Sequence, residues 1–405
     1  MADKKHMSRI LFFVVLSLLI LFFTPLALTE KGHDITSWCT IRVDGTKKNG
    51  SKVLDGKYMT KWERYSAKPS TITINLPQDI TEGGIYLCFA TEPQLLEIFS
   101  GDDLQAFYSE EGDSFAHRYV PFANCETLRV QISGHVGTGF SLSEIYVISG
   151  EEPPDWVQIW QPRVEKADML VLVAHPDDEL LWMGGTLPYY ASQRQLSVAV
   201  AYLTCANPLR RSEMLNGLWT AGVPNYPYIA NFCDKRMPSL KKSYEIWGGP
   251  VKVEEYIAEL YRKLKPQVVL SHDLFGEYGH PAHVICSNEA VNALVSAANE
   301  NSFPDSFQKY GSWDVPKLYL HLYEKHQIVM DWSKPLTAFG GKTAIEVTEE
   351  AFSMHRSQKS RFNVSVKGAY SCSRFGLVRS LVGADIDKDD FFENINLAAN
   401  FTARE

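Results

Sequence analysis

One stretch, from residue 169 to residue 185, constrains the fold of this chain more than any other. It begins with five apolar residues that are typical of a buried strand, and the strand pattern then stops at His175 and three consecutive acids, Asp177, Asp178 and Glu179. Open α/β sheets usually hold their sites where the strands end. Burying several carboxylates together is costly unless a cation or hydrogen bonds compensate. The stretch therefore predicts a metal site at the end of a strand.

The chain from Lys166 onward alternates strand patterns with helix patterns. This order predicts a Rossmann-like, mostly parallel sheet that is flanked by helices, in a domain covering residues 165–405. The predicted strands are 169–174, 196–204, 267–271 and a further strand over 317–322. The predicted helices are 178–193, 210–221, 251–265, 281–298 and 348–357.

Residues 30–150 have a different pattern, in which short segments alternate polar and apolar side chains. The clearest are 70–77, 84–89, 127–132 and 143–147, and turn residues separate them. Several short strands with frequent turns predict an all-β sandwich. A polar linker that contains Pro153 and Pro154 would join it to the α/β domain.

The N-terminus carries Lys4, Lys5 and Arg9 before an apolar run over residues 10–23. This pattern predicts that residues 1–29 are a signal peptide or an uncleaved signal anchor, and the alternative is a buried core helix. Either export hypothesis makes the protein secreted or anchored to a membrane outside the cytoplasm. The net charge of −8 argues against binding nucleic acid through a basic surface.

The seven cysteines are the next feature, and none of them forms a Cys-x-x-Cys pair, which argues against a cysteine-ligated zinc. In an exported protein, two of the three N-terminal cysteines, Cys39, Cys88 and Cys125, would be able to form a disulfide.

A second polar cluster follows the predicted strand 267–271. It contains His280 and His283, three residues apart at the start of a predicted helix, and glycines that allow a tight turn. Zinc in hydrolases typically has three protein ligands and one open position. His175 and Asp178, also three residues apart, would supply two ligands, and this second cluster would supply the third.

The run Ala174–Glu179, followed by Gly184-Gly185-Thr186, resembles the opening motif of the PIG-L/LmbE-like de-N-acetylases, and the resemblance extends over about residues 165–360. That family consists of zinc-dependent enzymes that remove acyl groups from amino sugars. The segment from His280 to His283 is similar to the family's His-Pro-Asp-His element, but Ala282 replaces the aspartate.

The resemblance implies a role for each residue of the two motifs. His175, Asp178 and His283 would bind Zn²⁺ or another divalent metal. Asp177 would be the general base, and His280 would stabilise the oxyanion or protonate the leaving amine. Because Ala282 lacks a carboxylate, Asp273 or Glu277 would have to orient the histidines.

Three further residues are predicted to contact the substrate. Arg210 and Glu213 form an Arg-x-x-Glu pattern that the family places near its sugar pocket, and the alternative is an ion pair on the helix surface. His355 begins a His-x-Ser-Gln sequence like the end of the family's last helix, and its alternative role is structural.

A weaker resemblance concerns the first domain. Residues 54–63 resemble an early loop of discoidin-like, galactose-binding sandwiches, which implies a glycan-binding module. The alternative is that Tyr58 and Trp62 only pack against the sandwich.

These expectations combine into an exported zinc hydrolase that removes an acetyl group from an N-acetylglucosamine-type glycan or glycolipid. Two alternatives stay open. One is a zinc amidase acting on a non-sugar amide, and the other is a non-enzymatic carbohydrate-binding protein with a degenerate hydrolase domain.

Overall fold

The computed structural model describes residues 31–66, 68–112, 115–205 and 207–397. The predicted leader, residues 1–29, lies outside this part of the chain. Within the described residues, no helix is both long and apolar enough to cross a membrane.

Two antiparallel sheets pack face to face in the N-terminal part, which confirms the predicted sandwich. The five-stranded sheet has the order β1-β3-β8-β5-β6, and the four-stranded sheet has the order β2-β9-β4-β7. The strands are β1 (Thr40–Val43), β2 (Trp62–Arg64), β3 (Ser70–Asn75), β4 (Glu82–Thr91), β5 (Leu95–Ser100), β6 (Tyr108–Glu111), β7 (His117–Ala123), β8 (Thr127–Ser133) and β9 (Phe140–Ser149).

Alternation along the strands builds the core of the sandwich. In β3, Ile72 and Ile74 are fully buried, while Thr71 and Thr73, which alternate with them, are only partly buried. Trp62 is 3% exposed and packs edge-on against Phe140 in this core. Trp62 therefore packs in the sandwich, as the alternative to a glycan-binding role expects. Tyr58 instead lies at the boundary with the second domain.

A seven-stranded sheet organises the rest of the chain and confirms the predicted α/β class. Its order is β12-β11-β10-β13-β14-β16-β15, in which the first five strands are parallel and β16 runs antiparallel to both of its neighbours, β14 and β15. The strands are β10 (Met169–Val173), β11 (Val198–Thr204), β12 (Tyr228–Phe232), β13 (Val268–Ser271), β14 (Lys317–His321), β15 (Gln327–Val329) and β16 (Arg374–Ser380).

Helices cover both faces of this sheet. One face packs against α3 and α8, and the other packs against α5 and α6. The helices are α1 (Lys47–Gly50), α2 (Asp178–Leu181), α3 (Pro208–Thr220), α4 (Leu240–Trp247), α5 (Pro250–Leu264), α6 (Pro281–Ala298), α7 (Pro304–Tyr310) and α8 (Ala344–Ser353). Short 3₁₀ helices cover Thr36–Trp38, Glu277–Gly279 and Thr337–Phe339, and a π-helix covers Pro188–Gln193.

Two predicted helices differ from the structure. The helix expected over 178–193 is interrupted after α2, because Gly184 has a φ of +54° and the chain resumes helical geometry only at Thr186. The last helix begins at Ala344 rather than at residue 348. Thr343 and Glu346 form a capping box that starts it one turn earlier than the apolar pattern indicates.

The disulfide considered for the N-terminal cysteines is not formed, since all seven cysteines are free thiols. Cys88 and Cys125 are buried and pack in apolar surroundings, as free cysteines commonly do.

Candidate metal centre

The two polar clusters meet because the strands that carry them are neighbours. β10 pairs in parallel with β13, with Val171 opposite Leu270. The carboxyl ends of both strands therefore lie at the same edge of the sheet, where His175 follows β10 and the loop 272–283 follows β13.

The three predicted metal ligands lie close together at this edge. The Nδ1 atom of His175 is 3.1 Å from Oδ2 of Asp178 and 3.2 Å from Nε2 of His283. The other carboxylate oxygen of Asp178 is 3.4 Å from the same Nε2 atom. With zinc–nitrogen distances of about 2.0–2.1 Å, neighbouring ligands of a tetrahedron lie roughly 3.3–3.4 Å apart. The three residues therefore have spacings close to those of ligands around one ion, with Asp178 presenting a different carboxylate oxygen to each histidine.

Other donor groups overlap this set. Candidate ligand atoms of His175, His280 and His283 lie within 4.8 Å of one another, and so do those of Asp178, His272 and His283. The choice of ligands depends on which nitrogens are free.

Both nitrogens of His272 have other partners. Its Nε2 atom accepts a hydrogen bond from the backbone N–H of Ala174 at 3.0 Å, and its Nδ1 atom is 2.7 Å from a carboxylate oxygen of Glu277. A nitrogen that accepts a hydrogen bond has no lone pair left for a metal. His272 thus joins the two strand ends to each other, and His175, Asp178 and His283 are left as the candidate ligands.

Glu277 is the centre of a buried hydrogen-bond network. The sequence indicated Glu277 and Asp273 as the two candidates for the acid that orients the histidines. Its carboxylate lies 2.7 Å from Nδ1 of His272, of His283 and of His321, and it also accepts the backbone N–H of Asp273. Glu277, His272, His283 and His321 are all fully buried. A carboxylate acceptor requires each Nδ1 atom to carry its proton, which leaves Nε2 of His283 free for a metal.

Neighbouring imidazoles keep the carboxyl groups of Glu277 and Asp178 ionised. Burial raises the pKa of Glu277, but the neighbouring imidazoles, with His272 first, outweigh it and hold the pKa well below its usual range. Burial likewise opposes the ionisation of Asp178, and His283, His272 and His175 together hold its pKa low. Asp178 also accepts hydrogen bonds from the backbone of His175 and from the indole of Trp182.

Asp177 differs from Asp178 in both backbone and environment. Its φ of +108° is unusual for a residue other than glycine, and such strain commonly occurs at functional sites. Its carboxylate accepts a hydrogen bond from Arg210 at 3.0 Å. Burial and the adjacent Asp178 raise the pKa of Asp177 well above its ordinary value, although Arg210 opposes the shift.

His280 lies beside the predicted ligands. Its ring centroid is 4.7 Å from that of His175 and 4.6 Å from that of His283. Burial, assisted by these two imidazoles, lowers the pKa of His280 to about 3, so its ring is neutral at neutral pH. The Nδ1 atom accepts the backbone N–H of Ala282 at 3.3 Å, which places the ring proton on Nε2.

Comparison with known proteins identifies a family over this part of the chain. The model of the PIG-L family, described as GlcNAc-PI de-N-acetylase, matches residues 170–294. These residues form a PIG-L domain. The match includes every residue of the proposed metal centre, together with His272 and Glu277.

Curated relatives of the PIG-L domain are deacetylases. A 1D-myo-inositol 2-acetamido-2-deoxy-alpha-D-glucopyranoside deacetylase of Rhodococcus opacus is 29% identical over 181 residues, which are 37% of this chain and 60% of that protein. A protein of the same description from Catenulispora acidiphila is 25% identical over 182 residues, which are 37% of this chain and 54% of that protein. The chain therefore spans little more than half the length of these relatives.

A solved structure is also similar to part of the chain. The N,N'-diacetylchitobiose deacetylase from Pyrococcus horikoshii is 21% identical, with a TM-score of 0.37 over 47% of this chain and 71% of that chain.

The three predicted substrate residues have different surroundings. In the PIG-L domain, Arg210 contacts Asp177 and the carbonyl of Pro176 rather than Glu213, so the surface ion pair is not formed. Glu213 is buried and accepts hydrogen bonds from the backbone and hydroxyl of Ser357. His355 lies outside the family match and is fully buried, with Nε2 3.8 Å from Glu179 and no hydrogen-bond partner for either ring nitrogen within the described residues.

Four residues near the metal centre were not predicted. His272 and His321 each come at a strand end, a signal that would have selected them as candidates. Asp234 lies in the loop after β12, 3.9 Å from Nε2 of His175. Tyr278 has a φ of +48° and a ring centroid 5.6 Å from that of His283. No motif in the sequence marks these last two residues.

Proposed function

We propose that the protein is a metal-dependent de-N-acetylase that acts on an N-acetylglucosamine-type sugar in a glycan or glycolipid. The observation that carries the proposal is the convergence of His175, Asp178 and His283 beside the strained, buried Asp177. The names of the curated relatives support the substrate class.

The metal would be held by His175, Asp178 and His283, and zinc suits two imidazoles and one carboxylate. When bound, it would polarise the acetamide carbonyl and lower the pKa of a water molecule. The carboxylate of Glu277 holds the ring of His283 in place through its Nδ1–H group.

Asp177 and His280 perform the proton and charge steps. Asp177 takes a proton from the attacking water, whose oxygen forms a bond to the acetamide carbon. His280 donates a hydrogen bond from Nε2 to the oxygen of that carbonyl as negative charge develops on it. The carbon–nitrogen bond then breaks, and the proton held by Asp177 passes to the leaving nitrogen. The products are acetate and a free amine.

Export is part of this proposal. Lys4, Lys5 and Arg9 before the apolar run 10–23 support a secretory or anchoring leader. Glycans and glycolipids outside the cytoplasm would then be the accessible substrates.

Metal removal provides the direct test of the proposed function. The purified protein should release acetate from N-acetylglucosamine oligomers. It should lose at least about 95% of that activity after dialysis against a chelator and regain it with Zn²⁺, because hydrolysis without the metal lacks the Lewis acid that polarises the carbonyl. Acetate release can be measured with a coupled assay, and amine release can be measured in parallel. Full activity in metal-free protein would contradict the mechanism, and no activity on any N-acetylated sugar would contradict the substrate class.

A further inference from the structure

The sandwich packs directly against the PIG-L domain, mainly on helix α3. Arg211 donates hydrogen bonds to the carbonyls of Phe89 and Ala90, at 2.9 and 2.8 Å. Next to it, the hydroxyl of Ser212 lies 3.2 Å from Nε2 of the buried His117. These contacts join the end of β4 and the start of β7 to one helix, so the two domains have a shared boundary with defined geometry.

Two cavities open along this boundary, with volumes of about 990 and 530 Å³. They have Tyr58, Asn216, Met354 and Arg356 in common, so we treat them as one interdomain cleft. Cavities of 300–1,000 Å³ are typical of small-molecule and cofactor sites. Both domains contribute walls, and Tyr58 is the sandwich residue that lines both cavities.

The chemistry of the interdomain cleft suits sugar rings. Trp156 is 45% exposed and Tyr58 is half-buried, so both offer aromatic surface next to polar groups. The amide of Asn216 lies 3.5 Å from the hydroxyl of Tyr58. Arg356 is exposed and has no ion-pair partner within the described residues. Aromatic faces can cover the apolar face of a sugar, while an amide and a guanidinium can bind its hydroxyls.

Helix α3 connects the interdomain cleft to the metal centre. Glu213 lines the smaller cavity, and Arg210, three residues earlier, contacts Asp177. Three residues correspond to less than one helical turn, a rise of about 4.5 Å. A chain whose acetamido sugar lies at the metal centre would therefore need only a few sugar units to enter the cleft.

We propose that the interdomain cleft binds the sugar units that flank the acetamido sugar, so that the substrate is an oligosaccharide or longer chain rather than a monosaccharide. This inference rests on the proposed deacetylase function for the reaction, but binding in the cleft is measurable without it. The sandwich is then part of the substrate site through Tyr58, rather than a separate module with a binding surface of its own.

The test compares short and long probes. With wild-type protein, kcat/KM for chitotetraose or for a hyaluronan tetrasaccharide should exceed that for N-acetylglucosamine at least tenfold. Tyr58→Ala and Arg356→Ala should each raise KM for the better tetrasaccharide about tenfold, as expected for loss of one aromatic or charged contact. Both variants should leave kcat and the monosaccharide kinetics unchanged. Tyr65→Ala is the matched control, because Tyr65 is 77% exposed on the same domain and lines neither cavity.

Binding distinguishes failure of the cleft from failure of the reaction. Trp156 and Trp219 line the interdomain cleft, so tetrasaccharide binding to an Asp177→Asn variant should change tryptophan fluorescence, and Tyr58→Ala should weaken that binding. Tetrasaccharide binding to Asp177→Asn, together with no acetate release from the same sugar by the wild-type protein, would support the cleft and refute the reaction. If neither tetrasaccharide binds, or if Tyr58→Ala and Arg356→Ala bind like wild type, the cleft proposal is wrong.

Discussion

Asp177→Asn is expected to lower kcat for acetate release by roughly a thousandfold, within the 10²- to 10⁴-fold range of general acid–base catalysis. The amide cannot take the proton of water, whereas its carbonyl oxygen can still accept the hydrogen bond that Arg210 donates to Asp177. Asparagine also tolerates positive φ better than most residues, so the strained backbone at +108° should persist. Steady-state kinetics on an N-acetylglucosamine oligomer would measure the effect.

Two controls separate lost chemistry from lost structure in this variant. The metal content of Asp177→Asn should equal that of the wild type, because Asp177 is not among the proposed ligands. Its thermal midpoint should stay within a few degrees. A kcat within tenfold of wild type, at full metal occupancy, would show that some other group accepts the proton.

Glu277→Gln should weaken metal binding by about 10- to 100-fold, the usual effect of losing a group that orients a ligand. The carboxylate uses both oxygens to accept three imidazole N–H groups and one backbone N–H. Glutamine has one acceptor oxygen, and its amide group would face donors. At least one buried donor then loses its partner, so stability should also fall by about 1–3 kcal/mol.

Metal affinity, measured by competition with a chromophoric chelator, gives the first readout for Glu277→Gln. Nitrogen-15 NMR of the histidine rings gives a second, because His272 and His283 should lose their uniform Nδ1–H tautomer. Asp273→Asn is the matched control, since it changes the other acid considered for this role, and it should alter metal affinity less than threefold. Wild-type affinity and tautomers in Glu277→Gln would refute the orienting role.

Much of the fold and the candidate centre follow from local sequence patterns. A continuous apolar run marks β10 as a buried central strand, and alternation in β3 marks a strand of the sandwich. Parallel strands place their carboxyl ends at one edge of the sheet, which predicts that the polar clusters after residue 173 and after residue 271 meet. His175 and His283, one from each cluster, do so.

Other features depend on contacts that no local pattern contains. Glu277, rather than Asp273, orients the histidines because its carboxylate is the one buried against three imidazoles. This position depends on the path of the loop after β13, which no local pattern in the sequence specifies. His272 directly follows β13, a position that suits a metal ligand, but its Nε2 atom accepts a hydrogen bond from the backbone N–H of Ala174. Helix 178–193 is interrupted because the chain turns at Gly184, against Trp332 and Cys372, residues remote in sequence.

A zinc-edge anomalous difference map from a crystal of the wild-type protein tests the central claim most directly. We predict a single strong peak at about 2.0–2.2 Å from Nδ1 of His175, a carboxylate oxygen of Asp178 and Nε2 of His283, with one position open to solvent. A peak coordinated by His272, or no peak near these residues in protein that releases acetate, would contradict it.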